Sequence, residues 1–205
     1  INRWNLKKKD PKAELSEPIT PIIFWLENTI PHEFRNAVRD GILGWNNAFE
    51  AIGFKNAIVV KQMEDDASWD PADIRYNTIR WLVHPGAGYA VGPSRANPFT
   101  GELYDADIRI SADYVRFFFT EYDEYIQSLL QDPNIVHHEN EAGISEGHIC
   151  NYAKDKKNQM AFIWNYMTMD KTIENTQEAL NKFIYQGIVD LILHEVGHTL
   201  GLRHN

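Results

Sequence analysis

The chain ends on His194-Glu195-Val196-Gly197-His198-Thr199-Leu200-Gly201-Leu202-Arg203-His204-Asn205, and no other stretch restricts its fold and chemistry as tightly. On a helix, positions i and i+4 share a face, so His194 and His198 can offer two imidazole nitrogens to one metal ion. Glu195 lies one position round, badly placed to ligate but able to take a proton from a water in an open coordination position. Were the helix to continue, His204 would sit about 9 Å further along the axis than His198, at 1.5 Å per residue, and on another face. Gly201 removes this difficulty, because a residue without a Cβ can enter the left-handed conformation that ends a helix and reverses the chain. His194, His198 and His204 are therefore the expected ligands of one zinc ion, with Glu195 as the base. The His-Glu-x-x-His core alone also suits a surface helix with two solvated histidines; Gly201 and His204 set that reading aside.

The full pattern, His-Glu-x-x-His-x-x-Gly-x-x-His, resembles the signature of the metzincin clan of zinc endopeptidases and matches it at every defined position. Upstream, the run from Pro21 to Ser111, and within it Gly88-Tyr89-Ala90-Val91-Gly92-Pro93-Ser94-Arg95-Ala96-Asn97-Pro98-Phe99-Thr100-Gly101, resembles the matrixin-like domain of a bacterial zinc-dependent metalloprotease family. The resemblance implies a twisted, mostly parallel sheet above an active-site helix, with one antiparallel strand edging the cleft. It also implies a secreted or periplasmic parent protein and a methionine turn after the third histidine. Met63, Met160, Met167 and Met169 all precede the motif, so none of them is that turn.

With 205 residues and 43% hydrophobic content, the chain suits a polar arm over residues 1–20 and one catalytic domain over 21–205. It begins at Ile1 rather than Met and stops one residue after its third histidine, so both ends read as cut and the lower subdomain as missing. On that reading zinc is absent or held mainly by His194 and His198, and peptide hydrolysis is expected to be weak or undetectable. A net charge of −9 argues against nucleic-acid binding, and the absence of a run of 18 apolar residues argues against a membrane span. The single cysteine, Cys150, excludes an internal disulfide; it reads as a bystander rather than a zinc-masking thiolate.

Along the chain, Pro21 to Leu26 suits a buried strand. Pro31 marks the start of a front helix with Phe34, Val38, Ile42, Trp45 and Phe49 at helical spacing, stopped at Gly53 and packed on the sheet. Strands are expected at Asn56 to Gln62, Tyr76 to Val83 and Gly88 to Ser94, the last at an edge because Pro93 lacks an N–H. The acidic loop from Glu64 to Asp73 lacks calcium-loop spacing and reads as a solvated turn. In a fifth strand, Tyr104, Ala106, Ile108 and Ile110 alternate with Asp105, Asp107 and Arg109, which predicts one buried and one wet face. Helices are expected from Ala112 to Leu130 and within Ile173 to Leu200. The second carries the apolar stripe Ile184, Ile188, Leu191, Ile192 and Val196, and Asp190 one turn before His194 is either a solvated charge or a carboxylate orienting that ligand. Between them, residues 134–150 hold His137, His138, Glu139, Glu141, Glu146 and His148 in no recognised metal spacing and read as an insertion loop.

These elements predict an α+β or mixed α/β fold: a sheet of about five strands, a long front helix and an active-site helix. The expected function is a zinc endopeptidase acting on protein or peptide substrates, which lie along the edge backbone of Gly88, Tyr89, Ala90, Val91 and Gly92. The alternative is a non-catalytic zinc- or peptide-binding module, whose metal would have its fourth position closed by a protein ligand.

Overall fold

The computed structural model describes residues 2–84, 90–120, 152–169 and 177–204. Ile22–Leu26 (β1) is a continuous apolar run in which buried Ile22, Phe24 and Leu26 alternate with half-buried Ile23 and Trp25, so one face packs more deeply than the other. It leads into two short helices, Arg35–Leu43 (α1) and Trp45–Ala51 (α2), and the chain returns as Ile58–Gln62 (β2), parallel to β1 from Ile22↔Ile58 to Leu26↔Gln62. Asn77–Leu82 (β3) lies parallel on the other side of β1, with Phe24 opposite Asn77. Ala90–Val91 (β4), Ser94–Ala96 (β5) and Leu103–Ser111 (β6) complete a six-stranded sheet of order β2-β1-β3-β6-β4, in which β5 pairs antiparallel with β6.

The fold is therefore mixed α/β, with six strands rather than about five, because Pro93 breaks the expected fourth strand into β4 and β5. The front helix is divided too. Regular helix starts only at Arg35, whose guanidinium closes the preceding turn by donating to the carbonyls of Asn28 and Ile30, and α1 gives way to α2 at Gly44. A Cβ at Gly44 would stand 2.7 Å from Leu193 Cδ1, and one at Gly41 would stand 2.7 Å from Ile192 Cβ. These glycines let the front helices lie directly on the C-terminal helix Gln177–Thr199 (α5). Trp45 faces that helix rather than the sheet alone, its indole donating to the Leu193 carbonyl at 2.8 Å. Gly53 ends the region at φ +87, as its position predicts.

β6 corrects the expectation of one wet face. Asp105 and Asp107 are buried along with Ala106, Ile108 and Ile110, while Tyr104 is half exposed. Asp107 accepts from Thr78 Oγ1 at 2.8 Å and Asp105 is paired with Arg95. Burial, and then the like charge of Asp107, still hold the Asp105 carboxyl above its usual range.

By its contacts the chain forms two compact units. The first comprises residues 1–81, 91–109 and 188–205; its buried side chains include Phe24, Leu26, Val38, Ile42, Ile58, Ile79, Ile108, Leu191, Ile192 and Val196. The polar arm belongs to it and is tied down. Lys8 bridges Pro18 across a tight reversal, Ser16 pairs with Phe54, and Arg3 pairs with Glu102.

The second unit comprises residues 82–90 and 110–187. It contains Ala112–Thr120 (α3) and Tyr152–Met169 (α4), a helix the sequence pattern does not announce. Tyr114 is fully buried there with its hydroxyl 3.4 Å from the Gly187 carbonyl, and a Cβ at Gly187 would stand 2.4 Å from Met160 Cε. The expected helix from 121 to 130, the histidine-rich stretch 134–150 and Cys150 lie outside the described residues. No helix among the described residues is long and apolar enough to cross a membrane.

Candidate metal centre

All five stripe residues of α5, Ile184, Ile188, Leu191, Ile192 and Val196, are buried, which fixes the rotation of the helix and turns His194 and His198 to one side. α5 ends in a Schellman turn. Gly201 takes φ +96, the Leu202 amide donates to the Gly197 carbonyl at 3.1 Å, and the Gly201 amide donates to the His198 carbonyl at 3.0 Å. The reversal carries His204 back beside the helix.

Three ring nitrogens converge as a result. His194 Nε2 lies 3.0 Å from His198 Nε2 and 3.0 Å from His204 Nε2, and the three rings could hold a metal ion. A ring nitrogen has a single in-plane direction for its proton or lone pair, so His194 Nε2 cannot satisfy both neighbours by hydrogen bonding. A cation between three lone pairs can. Tetrahedral coordination at 2.0–2.1 Å would place the nitrogens about 3.3 Å apart, within a few tenths of the observed separations. His198 is already in the tautomer this requires. Its Nδ1 faces the Leu202 carbonyl at 3.1 Å, which can only accept, so Nδ1 carries the proton and Nε2 keeps its lone pair. Burial, and then the nearby rings of His198 and His204, push His194 down to about 4, with Asp190 opposing; His194 is neutral at physiological pH.

Glu195 follows His194 directly on the same turn of α5. It is fully buried, and neither carboxylate oxygen has a hydrogen-bond partner. An orphaned buried carboxyl is destabilising and rare, and its presence in a native core calls for a functional reason. Burial pushes it up to about 7, an effect the Gly92 amide opposes in part without completing a hydrogen bond of normal geometry. Gly92 lies directly on this turn of α5, since a Cβ there would stand 2.6 Å from the Glu195 carbonyl oxygen and 3.3 Å from Thr199 Cγ2.

Of the expected substrate-binding residues, Ala90 and Val91 form β4, at one end of the strand order, and Gly92 follows it against the Glu195 backbone. Gly88 and Tyr89 lie outside the described residues. Sequence reasoning did not find the Leu202 carbonyl as the partner of His198, since a backbone group leaves no compositional trace. Nor did it find Trp4, whose indole donates to the Thr199 carbonyl at 2.9 Å across nearly the whole length of the chain.

A sequence profile for a family described as Met-zincin matches residues 176–205, the stretch that forms α5 and the returning turn. No curated protein and no solved structure matches the chain. The profile and the converging histidines together make this end of the chain metzincin-like.

Proposed function

We propose that the protein is a zinc-dependent endopeptidase with matrixin-like organisation upstream of the motif. The observation that carries this is the pairing of two features on one turn of α5: three ring nitrogens within coordination distance of one another, and a buried carboxyl without hydrogen-bond partners. A zinc ion held by His194, His198 and His204 supplies Lewis acidity toward a peptide carbonyl and toward water. Glu195 takes a proton from the attacking water and returns it to the nitrogen of the leaving amine. A carboxyl pushed up to about 7 suits both transfers, because near neutrality it gives and takes a proton with little driving force lost in either direction. Dialysis against a chelator should abolish casein cleavage and stoichiometric zinc should restore it; cleavage that survives chelation would rule out this reading. A non-catalytic peptide-binding module predicts zinc uptake with no cleavage in either state.

The substrate backbone is assigned to the edge presented by β4 and Gly92, where main-chain pairing holds many sequences alike. Replacing Ala90 or Val91 by proline removes one backbone donor from β4, and of two successive strand residues one donates toward the edge. We expect kcat/KM to fall at least about tenfold while the unfolding midpoint moves little. Unchanged kinetics at both positions would exclude this strand as the substrate rail.

A further inference from the structure

The arm around Trp4 is fastened at both of its faces. The Arg3 amide donates to the Gly101 carbonyl at 2.9 Å and the Leu103 amide donates to the Arg3 carbonyl at 2.8 Å, which roots the arm on the start of β6 independently of α5. From that root, the indole of Trp4 reaches the end of α5. The Schellman turn already uses the carbonyls of Gly197 and His198, so that of Thr199 is the next orphan at the helix end, and the Trp4 indole satisfies it. On the other side, the Asn2 carbonyl oxygen occupies the space 2.6 Å from where a Cβ on Gly201 would be. The strap therefore grips the two residues, Thr199 and Gly201, that bracket the reversal. Beyond it, residues 201–204 are all exposed, so little burial fixes the path that brings His204 back to the helix.

We propose that Asn2–Trp4 is a positioning element of the metal centre, holding the Thr199–Gly201 turn so that His204 stands ready as the third ligand. This rests on the reading of the three histidines as a metal site. Trp4 touches no ligand; it acts through the turn. Because the ordering is done before the ion arrives, metal binding does not bear the entropy of fixing the exposed segment that carries His204.

The test is a double-mutant cycle on zinc affinity, measured by calorimetric titration of the whole chain with zinc alone. Trp4→Phe keeps the ring and removes the indole donor. It should weaken zinc binding about fivefold to tenfold, the size of one net hydrogen bond. In a His204→Ala background, where the third ligand is gone, Trp4→Phe should have no further effect. Equal weakening in both backgrounds would mean that Trp4 merely supports the helix and would overturn the proposal, as would no weakening in the wild-type background. Should Trp4→Phe fail to fold, Arg3→Pro unhooks the strap from Gly101 with the indole intact, and the same cycle decides. If the wild type takes up no zinc, the metal reading falls and this proposal with it. If the wild type binds zinc, His204→Ala weakens it and Trp4→Phe does not, only the strap assignment falls.

Discussion

Glu195→Gln should leave the protein able to bind zinc, lower kcat/KM by a factor of about 10² to 10⁴, and make the metal-free protein more stable above neutral pH. The activity loss follows because an amide of nearly the same shape cannot accept the proton of the attacking water. The stability gain follows from linkage. The carboxyl rises from an ordinary value of 4.5 to about 7 in the folded state, so between those values the folded protein binds the extra proton and stability falls as pH rises. By pH 8 the accumulated penalty is on the order of 3 kcal/mol, and glutamine carries none of it. His194 has the opposite sign. Pushed down to about 4 from 6.5, it makes stability rise with pH across that window. The two slopes oppose each other between about pH 4.5 and 6.5 in the wild type, and only the rising one remains in the variant. Urea unfolding of both metal-free proteins at pH 5 and pH 8 reads this directly. A variant no more stable than the wild type at pH 8 would mean that the Glu195 carboxyl is not held in a dry environment.

Gly201→Val should lower zinc affinity by at least about 100-fold, the scale of losing a ligand rather than of perturbing one. A β-branched residue strongly resists the φ of +96 found there, and its Cβ would collide with the Asn2 carbonyl oxygen, 2.6 Å away. The chain must then leave α5 along another path, and His204 goes with it. Because residues 201–204 are exposed, unfolding free energy should drop only by about 1–2 kcal/mol. Zinc affinity within threefold of the wild type would show that the reversal at Gly201 does not deliver the third histidine.

The parts of this molecule legible in the sequence are those whose cause is local. Spacing within ten residues places His194, His198 and Gly201, the continuous apolar run of β1 reports a buried strand, and the stripe on α5 reports a face packed on its neighbours. Non-local partners defeat the same logic. Asp105 and Asp107 look like a solvent face because sequence shows their charge but not Thr78 or Arg95, which accommodate them inside. The arm looks loose because its composition is polar, yet it is held by backbone bonds to Gly53, Gly101 and Leu103, groups that any residue possesses. α4 escapes notice for a different reason. Met160 and Trp164 are buried while Phe162, Ile163 and Tyr166 stand exposed, so apolar residues lie all round the helix and leave no stripe to read. Gly41 and Gly44 appear as weak helix formers in sequence, and only the close approach of α5 gives the reason for them.

We propose that His194, His198 and His204 form one zinc site served by Glu195. It is tested most directly by titrating the metal-free protein with zinc while following bound metal and peptide hydrolysis together. Both signals should rise in parallel and saturate at one ion per chain in the wild type, and metal alone should do so in Glu195→Gln. Saturation without hydrolysis in the wild type, or hydrolysis that does not follow the bound metal, would contradict it.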